Sequence, residues 1–98
     1  MRTSDAWYTS VAPGSWRWFR GRHYRQVAIT DGRVHVTTRR RGDTVLDVAV
    51  ADLELTRVRR GLLYQVLATD RSSCVHVFEF RLRRHNAGRA FVDALRVT

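Results

Sequence analysis

Val27-Ala28-Ile29-Thr30-Asp31-Gly32-Arg33-Val34-His35-Val36 holds two alternating runs on either side of an Asp-Gly pair. Val27 and Ile29 recur at a period of two, as do Val34 and Val36, so each run presents one apolar and one polar face as a half-buried strand does. Asp31-Gly32 supplies the left-handed backbone angles that a two-residue hairpin turn demands. The stretch therefore predicts a tight antiparallel hairpin, with strands over 24–30 and 33–39.

The same period continues down the chain. Leu46, Val48 and Val50 alternate with Val45, Asp47 and Ala49 in a strand over 44–50, entered through the polar turn Arg39-Arg40-Arg41-Gly42-Asp43. Ala51-Asp52 breaks the run before Leu53 and Leu55, which oppose Glu54 and Thr56 in a strand over 53–58. Arg59-Arg60-Gly61 turns the chain again. The run 62–69 is nearly all apolar, as suits a strand covered on both faces. After the polar loop Asp70-Arg71-Ser72-Ser73, the run 74–83 sets Phe78, Phe80 and Leu82 on a core face against Glu79, Arg81 and Arg83. Upstream, Trp16-Arg17-Trp18-Phe19-Arg20 predicts a first strand, closed by Gly21-Arg22-His23, because aromatic residues favour a pleated, half-buried surface. Residues 1–15 form a lead-in arm anchored by Trp7 and Tyr8 and broken at Pro13-Gly14, with three roles open: an additional strand, a helix or an oligomer contact.

The final segment changes period. Ala87, Ala90, Phe91, Ala94 and Leu95 follow the i, i+3, i+4 spacing of one helical face, and Asn86 is an expected N-cap for a helix over 85–97. A sheet with one apolar face needs a cover, so seven strands followed by one amphipathic helix predict a mainly β (α+β) fold, a small barrel or sandwich plugged by that helix.

Composition bounds the answer. A chain of 98 residues is one domain, able to bury roughly 60–65% of its unfolded surface. An apolar content of 44% argues against disorder, although the formal charge is +9. All 18 basic residues are Arg. A GC-rich genome produces such usage, and recognition of phosphate or carboxylate also favours it, because the guanidinium is a planar fork that stays charged. Cys74 stands alone, so no internal disulfide is expected and a reducing compartment fits. Met1 to Ala12 has no leader-type apolar run, and the apolar interval Val48 to Ala51 is far too short to span a bilayer.

With these elements in place, the chain resembles the pleckstrin-homology-like superfamily, in its compact bacterial, GRAM-like style. The resemblance rests on Val27-Ala28-Ile29-Thr30 entering the Asp31-Gly32 hairpin, on 47–53 with Arg57-Val58, and on the terminal 90–95. It implies a seven-stranded barrel of two roughly orthogonal antiparallel sheets, spanning residues 16–98 behind the 1–15 arm. Phe91 stands where the family usually carries a Trp.

The resemblance also implies a geometry for the arginines. The loops 21–23, 40–43 and 70–73 would gather at one open end, bringing Arg20, Arg22, Arg39, Arg40, Arg41 and Arg71 together with Arg25 as a cationic pole. The implied function is a non-enzymatic binding or adaptor module, docking on a protein partner or on an acidic surface, anionic lipid or phosphate. The implied location is cytoplasmic, with contact at the inner membrane face as an option. Solvated hairpin tips in an Arg-rich chain would look the same. A sequence-nonspecific nucleic-acid-binding protein is the rival reading, since backbone phosphates reward the same charge. Enzymatic readings are weaker and no cofactor is expected. His23, His35, His76 and His85 are dispersed, with His35 and His76 read as lying opposite the core faces. Cys74 reads as a small structural residue, and Asp47 and Glu79 as cross-strand partners of arginines such as Arg81. Oligomeric state and ligand are not encoded in any readable motif.

Overall fold

The computed structural model describes residues 3–12 and 23–96. Seven antiparallel strands, β1 (Ser4–Val11), β2 (His23–Thr30), β3 (Arg33–Thr37), β4 (Thr44–Ala49), β5 (Glu54–Arg60), β6 (Leu63–Thr69) and β7 (Val75–Arg81), are followed by α1 (His85–Arg96). Hydrogen bonding is continuous in the order β4-β3-β2-β1-β7-β6-β5, so the protein is mainly β with one C-terminal helix. The mainly β class, the seven antiparallel strands and the C-terminal helix agree with expectation, the strands being hydrogen-bonded as one sheet rather than two.

The hairpin that anchored the reading forms as expected. Asp31 and Gly32 take φ of 54° and 72°, the paired left-handed angles of a type I′ turn. Val27 faces Val36 and Ile29 faces Val34 across the ladder, and all four side chains are buried. The break at Ala51-Asp52 is the 3-10 turn Val50–Asp52, whose first amide donates to the Gly32 carbonyl at 2.8 Å and so ties this connection to the hairpin tip.

The first strand is different from the one expected. Ser4–Val11, read as part of a lead-in arm, is the strand between β2 and β7, in register with both: Trp7 opposes Tyr24 on one side and Glu79 on the other. Of the three roles left open, an additional strand is the one adopted. Its alternation was hidden because small and polar residues, Ser4, Ala6 and Thr9, are buried at this central position. The expected strand at Trp16, Trp18 and Phe19, together with the Pro13-Gly14 break and the Gly21-Arg22 turn, lies outside the described residues.

Phe78 and Phe80 on β7, Tyr64 and Val66 on β6, and Ala6 and Tyr8 on β1 share the inner face with the hairpin valines. The helix covers this face. Phe91, wholly buried, stacks at tilted angles on Phe78 (4.7 Å between centroids) and Phe80 (5.6 Å).

Several residue assignments need correction. Leu82 was expected in the core, yet β7 ends at Arg81 and Leu82 opens a 3-10 turn (Leu82–Arg84) where it is 67% exposed. Leu62 lies outside β6 and is 89% exposed, so the apolar run there is not covered throughout. Asn86 sits inside the first turn of α1, because the 3-10 turn leads directly into the helix at His85 and leaves no separate capping position. Ala90 is exposed, and Gly88 and Val92 join Phe91 and Leu95 on the buried face.

Candidate functional site

A short loop carries three consecutive arginines, Arg39, Arg40 and Arg41. Between β3 and β4, the Thr38 amide donates to the Asp43 carbonyl (2.9 Å), the Gly42 amide returns to the Thr38 carbonyl (3.1 Å), and the Asp43 amide is held by Thr38 Oγ1 (3.0 Å). Gly42 closes this turn at φ 69°, a left-handed angle that glycine adopts without a Cβ penalty. Thr38 and Gly42 thus lock the backbone, and Arg39, Arg40 and Arg41 are thrown outward between them.

Beside this loop, the start of β2 presents Tyr24, Arg25 and Gln26. The two segments line a concavity of about 690 Å³ whose walls are Tyr24, Arg25, Gln26, Thr38, Arg39, Arg40, Arg41 and Asp43. The structure therefore brings together four of the seven arginines singled out in the sequence, Arg25, Arg39, Arg40 and Arg41. Arg71 is elsewhere: its Nε pairs with Asp52 Oδ1 at 2.8 Å in a separate hollow lined by 51–54 and 69–71. Arg20 and Arg22 lie outside the described residues.

Within the concavity the guanidiniums are held differently. Arg39 lies over the Tyr24 ring, 4.9 Å from its centroid, and Arg81 from β7 approaches the same ring at 4.8 Å. Arg39 Nη2 also reaches Asp5 Oδ2 at 3.5 Å, so part of its charge is answered from β1. Stacking on an aromatic face restrains a guanidinium while leaving its edge donors available. Arg25, Arg40 and Arg41 make no ion pair among the described residues, and the carboxylate in the lining is that of Asp43. Tyr24 and Gln26 were missed in the sequence reading; a tyrosine immediately before Arg25 at the start of a strand was the available signal.

A second cluster lies at the end of β1. The Tyr8 hydroxyl is 2.8 Å from His76 Nδ1, and His76 Nε2 is 2.8 Å from Asp70 Oδ2. His76 is 4% exposed, which corrects the expectation that it faces solvent: it shares the strand parity of Phe78 and Phe80 and so points inward. With the ring neutral, Nε2 donates to the Asp70 carboxylate and Nδ1 accepts from Tyr8. The other Asp70 oxygen accepts from the Ser72 amide (2.9 Å), the Ser72 hydroxyl (2.6 Å) and the Cys74 amide (3.1 Å). The Ser72 and His76 hydrogen bonds hold the Asp70 carboxyl down to about 2. Burial pushes the Tyr8 phenol up to about 12, so it keeps its proton at neutral pH. An aspartate–histidine–hydroxyl chain whose final oxygen is made less acidic is the opposite of an activated nucleophile. It binds the β6–β7 loop to β1.

Asp47 pairs with an arginine as expected, but with Arg33 (2.7 Å) on the neighbouring strand β3, because β3, β2 and β1 separate β4 from the strand that carries Arg81. No helix among the described residues is long and apolar enough to cross a membrane.

The sequence matches no protein-family model and no curated protein. Among solved structures, the fold is similar to a chain from the work described as "Critical structural role for the PH and C1 domains of the Vav1 exchange factor", with a TM-score of 0.68 and 15% identity. The match covers 98% of this chain and 24% of that one, so this chain spans about a quarter of that protein's length. Seven antiparallel strands closed by a C-terminal helix, superposable on that structure, define a pleckstrin-homology-like fold. Identity this low carries the fold and not the ligand.

Proposed function

We propose that this protein is a non-enzymatic docking module that takes an oxyanion-bearing partner, an acidic protein segment or a phosphate headgroup, in the hollow between the start of β2 and the β3–β4 loop. The supporting observation is the convergence of Arg25, Arg39, Arg40 and Arg41 from two segments onto one concavity with a single carboxylate in its lining. Guanidinium forks match carboxylate and phosphate oxygens, and the Tyr24 face beneath Arg39 limits the rotamer freedom lost on binding. Four arginines at an anionic surface supply on the order of 4 kcal/mol, a transient attachment. The module thus works by local concentration or alongside other contacts, and its place is cytoplasmic, at or near the inner membrane face.

Inorganic pyrophosphate tests this reading by amide chemical-shift titration. Shifts are expected at 24–26 and 38–43, and charge reversal at Arg25, Arg40 and Arg41 together should remove them. Titration undiminished by that triple reversal would sink the proposal. An acidic peptide and phosphate-bearing vesicles, run in parallel, distinguish the two sources of the oxyanion. Duplex DNA is the control for the rival reading. Four phosphate contacts give a salt slope near about −3.6, and slope and binding persisting in the triple reversal would place nucleic acid at another surface.

A further inference from the structure

The far end of the β6–β7 ladder from the 70–74 loop carries the two most exposed large apolar side chains among the described residues, Leu62 (89%) and Leu82 (67%). They are not scattered. Leu63 opposes Arg81 in the terminal rung of the ladder, and Leu62 of the β5–β6 turn and Leu82 of the 3-10 turn are the residues that immediately flank that rung in the chain. The Gly61 amide bonds the Leu63 carbonyl at 3.2 Å, a tight turn that throws Leu62 outward.

Around this pair the charge is of one sign. The segments 55–69 and 80–92 contain Arg57, Arg59, Arg60, Arg81, Arg83, Arg84 and Arg89 and no Asp or Glu. Arg59, Arg60, Arg83 and Arg84, the nearest in sequence to the leucines, are all exposed. The carboxylate that lines the adjoining hollow with Leu62 and Leu63 belongs to Glu79, which is only 5% exposed.

We propose that this edge is a membrane-contacting tip: Leu62 and Leu82 enter the headgroup region of an anionic bilayer, while Arg59, Arg60, Arg83 and Arg84 bind lipid phosphates around them. The shape and charge select this occupant. Two leucines on the ends of turns form a projection, which a bilayer interface admits and a groove-seeking peptide helix does not. An exposed arginine rim whose one neighbouring carboxylate, Glu79, is buried complements a polyanionic plane, and the exposed leucines reward an apolar phase that nucleic acid lacks. None of these residues lines the concavity holding Arg25 and Arg40, so the inference stands apart from the function proposed above.

Co-sedimentation of the full chain with vesicles of phosphatidylserine and phosphatidylcholine, one part to three, tests it against vesicles of phosphatidylcholine alone. Binding is expected to the anionic vesicles, falling about tenfold or more in Leu62→Ser/Leu82→Ser and about fivefold for each of Arg60→Gln, Arg83→Gln and Arg84→Gln. Melting midpoints near the parent's and unchanged pyrophosphate titration show that these exposed substitutions leave fold and concavity intact. Vesicle binding that ignores the leucine pair and disappears on reversal of Arg40 and Arg41 overturns the proposal, by assigning contact to the concavity. Binding that ignores the leucine pair and is matched by transfer RNA at equal phosphate concentration overturns it too, as adhesion by charge alone. No affinity for anionic vesicles in the parent chain overturns it outright.

Discussion

Gly88 occupies the point where α1 comes closest to the sheet. A Cβ there would lie 2.6 Å from Tyr64 Cδ1, 3.1 Å from Tyr64 Cγ and 3.2 Å from Phe80 Cδ2. Both rings are buried and cannot swing away, so the helix would have to lift. In an exposed helix Gly88→Ala would gain about 1 kcal/mol from propensity. Here overpacking wins, and the variant is expected to be less stable by about 1–3 kcal/mol, read from the urea midpoint. Asp70 gives a second prediction at this scale. Its folded-state carboxyl is depressed to about 2 from 3.8, so the unfolded chain takes up that proton first as pH falls. Its contribution is complete above about pH 4 and is lost as pH drops toward about 2. The stability difference between the parent chain and Asp70→Asn should therefore shrink across that window, and a constant difference would show that the carboxylate's charge is irrelevant. His76 explains why sequence reading failed here. Polar side chains are ordinarily assigned to the wet face, and the partners that satisfy this one, Tyr8 and Asp70, are 68 and 6 residues away.

At the scale of elements, α1 behaves as its period predicted. Phe91 is wholly buried against Phe78 and Phe80, so Phe91→Ala removes a ring from the contact that seats the helix on the sheet. The expected loss is about 3–5 kcal/mol, a large part of what a domain this size has. A melting midpoint equal to the parent's would show that the helix does not hold the sheet closed. The hairpin and the helix were legible because each is written in a local code: a turn dipeptide in one case, an i, i+3, i+4 spacing in the other. Strand ends were less so. Leu62 and Leu82 continue the apolar pattern of β6 and β7 by sequence, and only the turn that ends at Leu62 and the one that opens at Leu82 carry them out of the core. Part of the candidate site was legible for a local reason too, since Arg39-Arg40-Arg41 precedes a turn glycine. Arg25 beside them and Arg71 away from them follow from strand pairing and from the Asp52 ion pair, which no local pattern encodes.

For the molecule as a whole, β1 decides whether there is one folding unit. It is paired on both sides, to β2 from Ser4 to Tyr8 and to β7 from Trp7 to Val11, and it joins the β2–β4 strands to the β5–β7 strands. Its long-range role is why it was unreadable: Ser4-Asp5-Ala6-Trp7-Tyr8-Thr9-Ser10-Val11 has little apolar alternation, because its place is fixed by ladders to distant strands. A chain beginning at residue 16, the boundary that the resemblance implied, would lose this strand. Two three-stranded groups would then face each other with unpaired edges, and Ala6, Tyr8 and the Tyr8–His76 bond would leave the core. The 16–98 fragment is expected to show no cooperative thermal transition and to bind hydrophobic dyes. A synthetic peptide of residues 1–15 should restore both the transition and amide dispersion, since the main-chain ladders that place β1 are ones a separate strand can re-form. A fragment that melts cooperatively on its own, near the parent midpoint, would show instead that β2 and β7 close directly on each other and that β1 is an addition to a complete barrel.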